Sequence, residues 1–258
     1  MARYFIYLRF KGTAYHGWQR QPNGISVQEM LERALSLLLG RDTAVTGAGR
    51  TDAGVHASMM VAHFDTPEPL EAPTHTGYRL NRLLPADIAI DAIRPVRDDA
   101  HARFSAVKRT YHYFLSTRKD PFTTETVTQL TADLDFDLMN QAARSLLRHT
   151  DFTSFSKLHT DTRTNDCNVS EAIWQRSESD PSLWVFTITA NRFLRNMVRA
   201  IVGTLLRVGR HQMSPEEFEA IILSYDRSKA GTSAPPQGLY LADIVYDDDL
   251  FPESDPTL

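Results

Sequence analysis

Cysteine and lysine are the two scarcities of this sequence. The single cysteine, Cys167, excludes an intramolecular disulfide framework and any zinc site built on several thiolates. The lysines are only Lys11, Lys108, Lys119, Lys157 and Lys229; every other basic residue that is charged at neutral pH is arginine. Arginine offers a planar fork of donors that fits phosphate and stacks on bases, so the bias favours phosphate recognition, although a GC-rich genome produces the same bias. Long apolar runs are also missing. None approaches the ~20 residues of a membrane span, and the longest, "MVRAIVGTLLRVG", is interrupted by Arg199 and Arg207. The opening "MARYFIYLRF" alternates like a strand and lacks a leader cleavage pattern, so a cytoplasmic protein is expected. A net charge of -4 excludes indiscriminate coating of nucleic acid; a polyanion partner has to meet a local basic face.

What is present is a chain of 258 residues, 42% hydrophobic and 23% charged, able to bury one large core or two ordinary ones. "YFIYLRF" reads as a half-buried strand with Tyr4, Ile6, Leu8 and Phe10 on one face. "SVQEMLERALSLLLG" reads as a helix with Ser26 as N-cap, Glu29 at the capping-box position, Leu31, Ala34, Leu35 and Leu38 on one face, and Gly40 closing it. "TAVTGAG" and "SMMVAHFD" are expected strands, "THTGYRLNRLL" a helix and "DIAIDAIRPV" a strand. After about residue 105 the alternation restarts: "RTYHYFLST" as a strand, "DFDLMNQAARSLLRH" as a helix, and "VSEAIWQR" and "SLWVFTITA" as a strand pair. "FLRNMVRAIVGTLLRVG" and "SPEEFEAIILSY" come next as helices, the second with Ser214, Pro215 and Glu217 as start signals, before a last strand in "GLYLADIVYD". The pattern predicts an α+β protein of two similar halves, 1–105 and 106–246, each with two principal helices covering one face of a mostly antiparallel sheet, then a frayed acidic tail, 247–258. No residue-level repeat links the halves.

The stretch "GAGRTDAGVHA" places one carboxylate, Asp52, in a segment too glycine-rich to pack well. An ordinary surface turn accounts for that composition, with Gly54 supplying positive φ. Asp52, His56 and His63 superficially suggest metal ligands, but no third ligand cluster accompanies them and His63 reads as core or edge, so no metal is expected. The glycines lack both the Gly-Lys-Ser/Thr ending and the G-x-G-x-x-G spacing of phosphate loops. No G-x-S-x-G occurs, and Cys167 reads as a small buried thiol. In "HARFSAVKRTYHYFL", Arg103, Lys108 and Arg109 interleave with Phe104, Tyr111 and Tyr113, the mixture that single-stranded or everted bases need; a core strand with polar residues facing water has the same composition. Arg199 sits beside the apolar face formed by Met197, Val198, Ile201, Val202 and Leu205. It either snorkels to water or needs a carboxylate partner, for which Asp52 is available.

Together "FKGTAYHGWQRQ", "AGRTDAGVHA", "HARFSAVKRTYHY", "DFTSFS", "FLRNMVRAIVGTLLRVG" and "APPQGLYL" resemble the tRNA pseudouridine synthase A family, over almost the whole chain. "GRTDAGVHA" is the specific motif; "DFTSFS" and "GLYL" alone are weak. The resemblance implies a pseudouridine synthase fold with an active-site cleft between its halves. It implies conversion of uridine to pseudouridine at positions 38 to 40 of the tRNA anticodon stem-loop by a homodimer that uses no metal or organic cofactor. Carried over, Asp52 is the catalytic nucleophile, Arg50 helps hold the target base out of the stem, and Tyr111 stacks on that base and assists proton removal from its C5. Arg199 keeps Asp52 ionised. His101, Ala102, Arg103, Phe104 and Ser105 form one tRNA-binding segment, and Asp161, Thr162, Arg163, Thr164 and Asn165 another. The chain departs from the family pattern at Asn165, where proline is often found, and at Lys11 and Thr13, where an acidic residue and serine are common. A non-catalytic tRNA-binding protein on the same fold is the alternative; it would be betrayed by loss of Asp52 or Tyr111, and both are present.

Overall fold

The computed structural model describes residues 1–157 and 164–252. The chain divides into two compact units: Met1–Val107 with the described part of Leu241–Leu258, and Lys108–Tyr240. The boundary expected at 105 lies beside Val107. The last strand, expected in the second half, groups mostly with the first unit.

The first unit runs β1 (Ala2–Phe10), α1 (Val27–Leu39), a two-residue β2 (Thr46–Gly47), β3 (His56–Thr66), α2 (Pro73–Leu83) and β4 (Ile88–Val96). β1 lies antiparallel between β3 and β4, with Ile6 opposite Ala62 on one side and Ile93 on the other. Tyr4, Ile6, Leu8 and Phe10 are buried, but so is Phe5, on the opposite face. Strand β1 is therefore covered on both sides at this point, because the rings of Tyr246 and Phe251 pack against Phe5. Helix α1 starts where Ser26 Oγ accepts the Glu29 N–H at 3.2 Å, and it buries Leu31, Ala34 and Leu35; Leu38 is half-buried. The Glu29 carboxylate pairs with Arg33, one turn along. Asn81 ties helix α2 to β4: its Nδ2 donates to Ile90 O (2.8 Å), and its Oδ1 accepts from Ile90 N (2.7 Å).

The second unit contains β5 (Ala106–Ser116), β6 (Thr128–Gln129), α3 (Phe136–Ala143), β7 (Val169–Arg176), β8 (Leu183–Ala190), α4 (Met197–Gly209) and α5 (Pro215–Leu223). Strand β8 lies antiparallel between β5 and β7, while the short β6 runs parallel to β5. The three α-helices fall in the three stretches expected to be helical. The stretch expected as one helix to His149 is α3 followed by a tighter 3-10 turn at Arg144–Arg148. Helix α4 begins at Met197, not Phe193, because Asn196 takes a left-handed φ of 65° that a helix cannot continue through. Met197, Val198, Ile201, Val202 and Leu205 are buried, as the apolar pattern requires. Helix α5 carries the full capping box of Ser214 and Glu217.

The last strand, β9 (Leu239–Tyr246), returns the chain to the first unit, where its neighbour is β3. The start of the expected frayed tail is folded back: Arg97 N donates to Leu250 O (3.0 Å), and Phe251 lies under the Arg94 guanidinium, 4.2 Å from it. Apolar burial of Phe251 against Phe5 overrides the acidity of the surrounding residues. No helix among the described residues is long and apolar enough to cross a membrane.

Candidate active site

Asp52 lies, half-buried, on the connection between β2 and β3. Its carbonyl accepts the Val55 N–H (3.2 Å), closing a tight turn in which Gly54 has φ 77°. The turn is braced by residues 12–18. Trp18 N donates to Thr51 O (3.4 Å), and Gly54 N donates to Tyr15 O (3.3 Å). Gly17, at φ 85°, lies so close that any Cβ there would strike Thr51 O. Gly12 N donates to His56 Nδ1 (2.8 Å), fixing the first residue of β3. Arg50 extends into solvent, with Nε donating to Gln19 Oε1 (3.2 Å). Gly12 and Gly17 therefore serve close backbone approach, and the carboxylate is presented by a braced turn.

The segment from His101 to Ser105 is equally well built. His101 N donates to Ser105 Oγ (3.0 Å), and Ser105 N donates back to His101 O (2.9 Å). Ala102 is held through both of its backbone polar groups: its N–H donates to His63 Nδ1 (3.1 Å), and its carbonyl accepts the Tyr246 hydroxyl (2.6 Å). Arg3 donates to Ala100 O (2.9 Å) while its guanidinium grips Asp65. Ala102 is buried; Arg103 and Phe104 are exposed, with the guanidinium 5.5 Å from the ring centroid. His63 and Tyr246 were not singled out for this segment by sequence. The available signal was a histidine inside the buried strand "SMMVAHFD", whose ring nitrogens need partners.

In the second unit Tyr111 stands half-buried on β5, its ring edge-on to Phe193 at 5.0 Å. Tyr113 and Leu115, on the same face, are buried, as the alternation implied. Arg199 is half-buried near the start of α4. Its Nε donates to Ala234 O (2.8 Å), and Ala234 N donates to Arg199 O (2.8 Å). That strap, residues 231–235, lies against Gly203, where a Cβ would strike Thr232 O. Of the second expected tRNA segment, Asp161, Thr162 and Arg163 lie outside the described residues. Thr164 and Asn165 are placed: Asn165 Nδ2 donates to Thr153 Oγ1 (2.9 Å), and Thr164 Oγ1 donates to Asp166 (2.6 Å).

Burial, then His101 and Arg3, push His63 down to about 4 against the opposing pull of Asp65, so it is neutral at pH 7 and its Nδ1 is an acceptor. His101 is also lowered, chiefly by burial. Cys167 is buried and its thiol is raised to about 11 by desolvation. Among the described residues no group of three or more His, Cys, Asp or Glu side chains is arranged to hold a metal ion.

A family model described as tRNA pseudouridine synthase matches residues 6–105 and 142–247, from β1 to the end of β9. The chain is 56% identical over 253 residues to a tRNA pseudouridine synthase A of Bacteroides thetaiotaomicron, spanning 98% of this chain and 94% of that protein. It is 53% identical to one of Parabacteroides distasonis, over 99% and 100% of the two chains. A more distant tRNA pseudouridine synthase A, of Syntrophotalea carbinolica, is 42% identical over 93% and 95%. With the glycine-bearing Asp52 turn and the His101–Ser105 segment both inside the matched region, the chain belongs to the tRNA pseudouridine synthase family.

Proposed function

We infer that this enzyme isomerises uridine to pseudouridine at positions 38 to 40 of the tRNA anticodon stem-loop, with Asp52 as its catalytic carboxylate. The reaction breaks the N1–C1′ bond, rejoins uracil to C1′ through C5, and releases the C5 proton. A carboxylate serves it either by attacking C1′ or by removing the C2′ proton to give a glycal, and both routes need an ionised acid at the ribose of an everted nucleotide. The observation that carries the reading is the Asp52 turn itself: one acid on a sharp turn whose carbonyls at Thr51 and Asp52 are tied down. A group held this way loses little freedom on meeting substrate.

Arg50 extends toward solvent, as a group acting on the surroundings of an everted base must. Tyr111 supplies the stacking ring, supported edge-on by Phe193. Arg199 is assigned a catalytic role, and its hydrogen bond to Ala234 O fixes the guanidinium orientation. Residues His101 to Ser105 and Asp161 to Asn165 contact the tRNA. Because the net charge is -4, the basic surface that an RNA needs is assembled by a homodimer bringing two arginine-bearing faces together. A tRNA substrate places the enzyme in the cytoplasm.

The decisive experiment is tritium release from C5-labelled uridine in tRNA. Asp52→Ala should abolish release while tRNA affinity stays within a few-fold. Normal release by that variant would sink the assignment, and undetectable release by the native protein would favour the non-catalytic tRNA binder.

A further inference from the structure

Residues His101 to Ser105 are fastened with unusual completeness for a loop. Neither Ala102 N nor Ala102 O is satisfied by strand pairing; each is met by a side chain, His63 on β3 and Tyr246 on β9. The His63 ring in turn lies edge-on to His101, 4.6 Å between centroids. His101 Nδ1 accepts the N–H groups of Arg103 (3.1 Å) and Phe104 (3.4 Å), and its ring packs 4.4 Å from Phe104. Two neutral imidazoles thus line the inner side of the turn, both using Nδ1 as an acceptor. What remains outside is a single exposed unit, the Phe104 ring with the Arg103 guanidinium beside it.

We propose that His63 is a positioning residue for tRNA binding: with Tyr246 it sets the Ala102 peptide so that Phe104 and Arg103 are held ready for a nucleotide base and its phosphate. The inference rests on the reading that this segment contacts tRNA. An exposed phenylalanine beside an arginine is suited to stacking and charge pairing together, and both gain when the backbone is ordered before the RNA arrives. His63 touches no RNA in this scheme. Its contribution is the acceptor at Nδ1.

The test is steady-state kinetics on a tRNA transcript with trypsin cleavage after Arg103 as a second readout. His63→Leu removes the acceptor and should raise KM for tRNA about tenfold, with kcat within about twofold, the loss expected for one backbone hydrogen bond. It should also speed cleavage after Arg103 in the native protein. His63→Asn places an amide oxygen where Nδ1 stood and should restore KM and protease resistance. Tyr246→Phe removes only the hydroxyl on Ala102 O and should move KM the same way, which keeps the question answerable if His63→Leu does not fold. An unchanged KM in both His63→Leu and Tyr246→Phe overturns the proposal. So does a His63→Asn variant as impaired as His63→Leu, because bulk and not the acceptor would then matter. The double variant Arg103→Ala, Phe104→Ala separates the two layers. If it leaves KM unchanged, the tRNA contact itself is wrong, even when His63→Leu loosens the turn; if it raises KM while His63→Leu does not, only the positioning role fails.

Discussion

The two units close an outer strand of their sheets by the same device. In the first, Asn81 on α2 satisfies both the N–H and the C=O of Ile90 on β4; in the second, Asn140 on α3 does the same for Trp174 on β7, at 2.7 and 3.0 Å. Each strand lies at an end of the strand order, where an unpaired edge is open to unwanted pairing. The units differ in the length of chain between helix and strand. Residues 84–87 separate α2 from β4, whereas residues 144–168 separate α3 from β7. That longer connection buries Phe152 and Phe155 and carries the Thr164–Asn165 end of the second expected RNA segment. The same clamp thus serves a short connection in one unit and a long one in the other.

The largest effect that probes this comparison concerns two close approaches, one in each unit. Gly17→Ala puts a Cβ against Thr51 O at a positive φ, so the Asp52 turn must move. With Asp52 as the proposed catalytic carboxylate, kcat/KM should fall by at least about 10²-fold, since displacements near 1 Å in a reacting group cost that much. Gly203→Ala drives Thr232 away from α4 and frees Arg199 from Ala234, so activity should fall with a visible loss of thermal stability. Equal stability losses from the two variants would erase the difference expected between the Asp52 turn and the strap over α4.

A smaller effect is expected from the paired clamps. Asn81→Ala and Asn140→Ala each strand two backbone groups, which should cost about 1–3 kcal/mol in denaturant unfolding for either variant. A large cost in one unit and none in the other would show that the likeness is only geometric. The last test is the pH response. His63 has a folded value below its ordinary one, so the unfolded chain takes up a proton first; its contribution is complete above about 6.5 and fades as pH falls toward 4. Arg3, Asp65 and His101 face that ring and modulate the fall. In the second unit Glu219 is held below its ordinary value by His149 and then Arg148, so its contribution is present above about 4.5 and is lost only below that. Hydrogen exchange should therefore loosen the residues around Ala102 at a higher pH than those around His149. The reverse order would contradict the burial of a neutral His63.

Local signals were legible in the sequence, and long-range ones were not. Ser26 and Ser214 announce their helices because a cap acts within a few residues. The Asp52 turn was readable because glycine and aspartate there have few other uses. Asn81 and Asn140 gave no such sign: an asparagine inside a helix reads as a weak helix former, and its value lies in a strand that the chain reaches later. His63 was read as core or edge and is buried, yet its service to Ala102, on a distant segment, has no footprint in periodicity. The brace of residues 12–18 under Thr51 and Asp52 was hidden for the same reason, since it joins two irregular segments.

Cys167 has a practical consequence. With one thiol in the whole chain, 1% exposed and raised to about 11, the native enzyme should be silent toward maleimides at neutral pH. A cysteine introduced on an exposed position such as Phe122 can then carry a dye or spin label as the sole reporter. Any slow labelling of the parent protein would time the opening of the segment just ahead of β7.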